Sequence, residues 1–221
     1  MTLMELLKDP RTKRPVIGGH RGHRSDVREN TIENFSRLLG HGIAYVEIDV
    51  QLTRDDRLVI FHDEDLEAAT GLPGKIREYT LEQLRDAFEI NTVEECIQWC
   101  RAHQMGIAFE LKSHCLKTPE ERHAIGSKLS GLIGQFRFHD NCFVFSKSYE
   151  TLELIREADA HIPLGIIPPK DAEKALALME GLKAVIYLDY LEALSGPLVQ
   201  KLHEAGYLVD GSFSPFLYFR F

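Results

Sequence analysis

Along residues 45–63, YVEIDVQLTRDDRLVIFHD, apolar and polar positions alternate: Val46, Ile48, Val50 and Leu52 share one side, Glu47, Asp49 and Gln51 the other. That period of two predicts a strand with one apolar and one polar face. A charged connection, Thr53 to Arg57, separates it from a second apolar run that ends in His62-Asp63. If the connection folds as a hairpin, pairing about Asp55 sets His62 opposite Ile48 and Asp49. Two carboxylates and an imidazole then meet at one end of a sheet. Taken alone, the stretch is equally consistent with a wet strand face and a surface histidine.

Further strand-like runs occur at Pro15–Gly19, Gly106–Leu111, Asn141–Ser146, Pro163–Ile167, Ala184–Leu188 and Tyr207–Val209. Amphipathic helical patterns fall at Thr31–Leu39, Thr80–Ala87, Val93–His103, Glu120–Phe136, Tyr149–Ala158, Asp171–Gly181 and Gly196–Ala205. Short apolar strands alternating with helices predict an α/β fold, a parallel sheet with helices outside. Seven or eight such units point to a single (β/α)₈ barrel over residues 1–221, compact for that fold. A doubly wound open sheet is the competitor, but no GxGxxG turn follows the first strand.

Composition narrows the partners. The 221 residues are 44% hydrophobic and 27% charged, with a formal net charge of −8. Neither nucleic acid nor an anionic membrane surface is an expected partner of such a chain. No apolar run reaches the roughly 18 residues of a membrane span, and the apolar part of MTLMELLKDPRTKRP is too short for a signal peptide. The four cysteines, Cys96, Cys100, Cys115 and Cys142, form no CxxC pair, and Cys96 and Cys100 read as buried thiols on one helix face. A reducing, cytoplasmic location is expected.

In a barrel of this kind the chemistry lies at the C-terminal ends of the strands. Those ends carry His20-Arg21, Glu47 with Asp49, His62-Asp63, Glu110 with Lys112, and Ser146 with Ser148. Each has an ordinary reading as a surface or capping residue; together they point to a site. Glu47, Asp49 and Glu110 are hard oxygen donors suited to Mg²⁺ or Ca²⁺, and a divalent cation would keep three such carboxylates ionised. Arg21 and Lys112 supply positive charge for an anionic substrate such as a phosphodiester. His20 and His62 titrate in the range wanted of a general acid and base. The set describes phosphoryl chemistry. Asn30, three residues before Glu33, reads as a helix cap, with Thr31 its rival.

These residues resemble the glycerophosphodiester phosphodiesterase family. The resemblance rests on His20-Arg21-Gly22, Glu29-Asn30-Thr31, Glu47-Ile48-Asp49-Val50, Leu52-Thr53-Arg54-Asp55, Ile60-Phe61-His62-Asp63, Thr70-Gly71 and Glu110-Leu111-Lys112, in that order. It covers residues 15–112 well and fades beyond. It implies a (β/α)₈ barrel that uses a divalent cation to hydrolyse a glycerophosphodiester to glycerol 3-phosphate and an alcohol. It further implies that His20 and His62 are the acid–base pair, that Glu47, Asp49 and Glu110 hold the metal, and that Arg21 and Lys112 contact phosphate. Attack by the substrate's own glycerol hydroxyl, through a cyclic phosphate, belongs to the same resemblance.

The chain departs from the family pattern in three places. Arg28 stands where Pro usually precedes Glu-Asn-Thr. The segment between His62 and the helix at Val93 is short, leaving little room for a substrate-capping subdomain. The last residues, GYLVDGSFSPFLYFRF, replace the family's closing helix and strand, so the barrel is expected to close imperfectly. The aromatic tail from Phe213 is expected either to cover that seam or to meet a second subunit in a homo-oligomer. Two other functions fit the same residues: a non-catalytic barrel that binds a phosphodiester or a protein, and a lysophospholipase D or sphingomyelinase D-like phospholipase.

Overall fold

The computed structural model of the protein describes residues 1–11, 15–23 and 26–212. Its longest described strand is β2 (Tyr45–Leu52), and every residue in it is buried, so neither face is wet. β2 turns back into β3 (Leu58–Ile60), antiparallel, with Val50 opposite Ile60, Gln51 opposite Val59 and Leu52 opposite Leu58. This register is centred on Asp55, as the alternation predicts, and the Phe61 N–H carries it on to the Asp49 carbonyl at 2.9 Å. The turn is held by Thr53, whose hydroxyl donates to Asp55 and accepts from the Arg57 N–H. Asp56 takes the left-handed conformation there, which a short polar side chain tolerates.

On its other edges β2 runs parallel to β1 (Gly18–His20) and β4 (Gly106–Leu111). β5 (Cys142–Ser146), β6 (Leu164–Ile166), β7 (Ile186–Tyr190) and β8 (Leu208–Ser212) follow, each parallel to the strand before it. The sheet is thus an α/β barrel wall of seven parallel strands, with β3 branching off β2. The count of eight is met only by including that antiparallel branch. Among the described residues β1 and β8 do not pair, so the barrel is incompletely closed at that seam. A side chain spans it instead: the Tyr45 hydroxyl donates to Asp210 Oδ2 at 2.7 Å. The Tyr45 ring passes against Gly18, where a Cβ would run into it. The aromatic tail expected to cover the seam, residues 213–221, lies outside the described residues.

The helices follow the predicted amphipathic runs. α2 (Ile32–Ser36), α4 (Leu81–Ala87), α5 (Val93–His103), α6 (Pro119–Phe136), α7 (Tyr149–Ala158), α8 (Ala172–Leu182) and α9 (Gly196–Glu204) flank the strands. Thr80, Thr92 and Thr118 open α4, α5 and α6 in capping boxes with Gln83, Glu95 and Glu121, satisfying backbone N–H groups that the first turn leaves free. Apart from that of α4, their inner faces join Val46, Ile48, Val50, Ile107 and Phe109 in the main core, and Cys96 and Cys100 belong to it as free, buried thiols. None of the described helices is long and apolar enough to cross a membrane.

Inside the barrel the alternate residues form columns. Tyr45, Ala108, Phe143, Phe145 and Ile186 pack together at the N-terminal end with Leu3 of α1 (Leu3–Lys8), a helix that periodicity did not reveal. The column of β2 then changes character upward, from Tyr45 through Glu47 and Asp49 to Gln51. Between His62 and Val93, α3 (Glu67–Thr70), a 3₁₀ turn at Ile76–Glu78 and α4 build a small core of their own: Val59, Phe61, Leu66, Ile76, Leu81, Leu84 and Ile90. Short as it is, that segment is a packed unit.

Candidate active site

Glu47 and Asp49 are carried by β2 and Glu110 by β4, where Asp49 and Glu110 are direct partners in the parallel register. One ligand atom from each of the three carboxylates lies within 4.8 Å of the others. Asp49 is fully buried and Glu47 is 8% exposed. Uncompensated anions at such depth would be costly, and two cations answer them. Lys112 Nζ lies 2.7 Å from both Asp49 Oδ1 and Glu110 Oε2. Arg21 Nε lies 3.2 Å from Asp49 Oδ2, while Arg21 Nη1 reaches Glu29 Oε1 at 3.1 Å. Burial works against the charge on Asp49, but Lys112 and Arg21 outweigh it and hold that carboxyl below its usual range.

Glu47 is the opposite case. Burial first, then the nearby Asp49 and Glu110, push its carboxyl well above the usual range. Its Oε2 accepts the Arg21 backbone N–H at 3.1 Å, yet its buried Oε1 has no hydrogen-bond partner. Asp49 Oδ1 likewise accepts no aligned hydrogen bond. Three clustered carboxylates, two of whose buried oxygens accept no aligned hydrogen bond, fit a hard divalent cation, which would reverse the pressure on Glu47 to take up a proton.

Two local conformations aim the β1 end at this cluster. Arg21 is left-handed (φ 55°), followed by Gly22 at φ 105°. The Arg21 N–H thereby turns to the Glu47 backbone carbonyl as well as its side chain. Asn30, also left-handed at φ 55°, is not the helix cap. Thr31 is, accepting the Asn34 N–H at 3.2 Å. Asn30 instead turns inward and pairs with Asp49 through both ends of its amide: Nδ2 donates to Oδ2 at 2.8 Å, and Oδ1 accepts the Asp49 N–H at 3.2 Å.

Both imidazoles lie near the cluster. His20 Nε2 is 3.8 Å from Glu47 Oε2, with the ring 65% exposed. Loss of water on its barrel side, then the Arg21 cation, push that imidazole down to about 4. His62 Nδ1 lies 2.7 Å from Asp63 Oδ1. All seven residues singled out in the sequence therefore sit at one end of the sheet, five in direct ionic or hydrogen-bond contact. Ser146 and Ser148, by contrast, have structural partners: Ser146 Oγ donates to the Leu111 carbonyl, and Ser148 caps α7.

Residues 20–210 match the model of the glycerophosphoryl diester phosphodiesterase family. The chain belongs to that family.

The family match begins at His20 and ends at Asp210, so it includes every residue of the site and both partners of the seam. A glycerophosphodiester phosphodiesterase of Bacillus altitudinis is 30% identical over 164 residues, which are 68% of this chain and 65% of that protein. Human glycerophosphodiester phosphodiesterase 1 is 28% identical over 174 residues, 72% of this chain and 50% of its own length. The chain thus spans about half to two-thirds of these relatives. An Oleispira antarctica phosphodiesterase, solved in complex with the product sn-glycerol-3-phosphate, superposes with a TM-score of 0.78 at 25% identity, covering 88% of this chain and 83% of that one. The glycerophosphodiester phosphodiesterase of Agrobacterium tumefaciens shares the fold, with a TM-score of 0.74 at 20% identity over 89% of this chain and 86% of its own.

Against that family pattern, Arg28 acquires a place. Its guanidinium lies 4.8 Å from the centre of the Phe88 ring, and its carbonyl accepts the Thr31 hydroxyl. The residue joins the loop before α2 to the packed segment that follows His62.

Proposed function

We propose that the protein is a metal-dependent phosphodiesterase that hydrolyses a glycerophosphodiester to glycerol 3-phosphate and an alcohol. The observation that carries this reading is the trio of carboxylates converging within 4.8 Å beside two cationic side chains. Glu47, Asp49 and Glu110 would hold the divalent cation, Mg²⁺ or Ca²⁺, whose part is to offset charge growing on phosphate oxygens. Arg21 and Lys112, fixed by their carboxylate partners, draw the phosphodiester into the mouth and orient it. His20, held neutral by its surroundings, is in the form that accepts a proton. It and His62 exchange the two protons of the reaction: one leaves the attacking glycerol hydroxyl, and one goes to the departing alcohol oxygen. Water then opens the cyclic phosphate, with the proton transfers reversed.

The test is a coupled assay for glycerol 3-phosphate across glycerophosphocholine, glycerophosphoethanolamine and glycerophosphoglycerol. Release of glycerol 3-phosphate that stops in EDTA and returns with Mg²⁺ or Ca²⁺ supports the reading. Release that survives exhaustive chelation removes the metal from it, and no release from any of the three with either cation removes the activity.

A further inference from the structure

β3 stops at Ile60, and the last bond of its ladder is the Phe61 N–H to the Asp49 carbonyl. His62 therefore lies just past regular structure, on a stretch whose backbone no strand holds. A buried side chain takes over. Gln51, 4% exposed and on the same side of β2 as Glu47 and Asp49, donates from Nε2 to the Phe61 carbonyl and to the Asp63 carbonyl, both at 2.8 Å. Those two carbonyls bracket His62. A primary amide presents two N–H donors on one uncharged atom, which is what two converging carbonyls need. A carboxylate of the same shape would repel both, and an apolar chain would leave both unpaired.

The ring is fixed separately. His62 Nδ1 is 2.7 Å from Asp63 Oδ1. An ionised carboxylate can only accept, so Nδ1 carries the hydrogen and Nε2 is left as the nitrogen that exchanges a proton. Asp63 is itself 48% exposed, and an exposed pair of this kind is weakly ordered by its own attraction. Gln51 supplies the order, because the carbonyl it holds belongs to Asp63.

We infer that Gln51 and Asp63 are the positioning residues of His62, Gln51 fixing its backbone and Asp63 its tautomer. The inference rests on His62 acting at the scissile phosphate. Two variants, Gln51→Met and Asp63→Asn, test it with three readouts. In glycerophosphocholine hydrolysis, Gln51→Met should lose about 10²-fold in kcat, the scale of a misplaced reacting group, with KM and Mg²⁺ affinity unchanged. Its backbone amides at 61–64 should exchange faster while those of β4 keep their protection. Nitrogen chemical shifts of the His62 ring should show the Nδ1–H tautomer in the native protein and a mixture in Asp63→Asn. Native kcat in Gln51→Met, or an unmixed tautomer in Asp63→Asn, overturns the inference. So does amide exchange that quickens equally throughout the sheet, the mark of a merely structural glutamine. If Gln51→Met does not fold, the tautomer in Asp63→Asn decides. If the native protein hydrolyses no phosphodiester, the proposed function fails alone, because exchange and tautomer are read without substrate.

Discussion

Asn30 and Asp49 hold each other at two points, amide to carboxylate at 2.8 Å and backbone N–H to amide oxygen at 3.2 Å. A carboxylate so held presents its other oxygen, Oδ1, toward Lys112 and the remaining acids. Partners that orient a ligand group typically account for 10–100-fold in metal affinity. Asn30→Gly keeps the left-handed backbone free of strain while removing the amide. It should bind Mg²⁺ about 10–100-fold more weakly, by calorimetric titration, with its fold intact by circular dichroism. Unchanged affinity would mean that Asp49 is aimed by Lys112 and Arg21 alone.

Metal and stability are linked through the same cluster. A cation that binds the folded state alone adds about 2.7 kcal/mol at a hundredfold excess over its dissociation constant. The native protein should therefore melt higher in saturating Mg²⁺ than in EDTA. Glu47→Gln relieves the crowding of acids and should narrow that gap sharply, chiefly by losing the gain from Mg²⁺. A Glu47→Gln protein that gains as much from Mg²⁺ as the native one would exclude Glu47 from the ligand set.

His20→Ala and His62→Ala should each lower kcat by about 10²–10⁴-fold, the usual effect of a positioned acid or base. Neither is among the three clustered carboxylates, so Mg²⁺ titrations of both should match the native protein. Near-native turnover in either variant would reduce that histidine to a structural residue.

Far from the site, Asp159 links acid sensitivity to a tertiary contact. It accepts from His139 Nε2 at 2.7 Å and from the His161 N–H at 2.9 Å. Partial burial opposes its charge, but those hydrogen bonds prevail and hold its carboxyl below the usual range. A folded-state value below the unfolded one gives stability that is present above about pH 3.8 and lost as pH falls through the folded value. Asp159→Asn should thus be less stable by about 1–2 kcal/mol near pH 6, on the scale of a hydrogen bond to a charged group. The deficit should already be smaller near pH 3 and vanish below the folded value. Urea melts at the two pH values check it, and a constant deficit would refute the electrostatic origin.

Much of this architecture could be read from the chain because its signals are local. The hairpin register follows from alternation on both sides of Asp55, and it delivers His62 to Asp49 without reference to anything distant. Threonines followed three residues later by Glu or Gln stand at the starts of α4, α5 and α6, a local sign present in the chain. What escaped depends on side chains far apart or on one unusual dihedral. Asn30 carries a capping residue's composition, and only its positive φ turns it to Asp49. Gln51 looked like the polar partner in an alternating strand, since nothing local says that its amide meets two carbonyls ten and twelve residues on. Tyr45 and Asp210 are separated by 165 positions, beyond the reach of any pattern. α1 is too brief for its periodicity to stand out, and its capping box at Thr2 and Glu5 was the available sign.

The two histidines enter the site by unequal routes. His62, Glu47 and Asp49 belong to one hairpin, whose backbone contacts form over a few residues. Among the described residues, His20 ends a three-residue strand that pairs on one edge only, next to the seam bridged by Tyr45. Local opening runs inward from such an edge, because few bonds must break before it peels away. Mild denaturant should accordingly silence turnover at concentrations where the three carboxylates still take up Mg²⁺. The protein would pass through a state that takes up Mg²⁺ with His20 displaced, a separation of binding from turnover written into strand order.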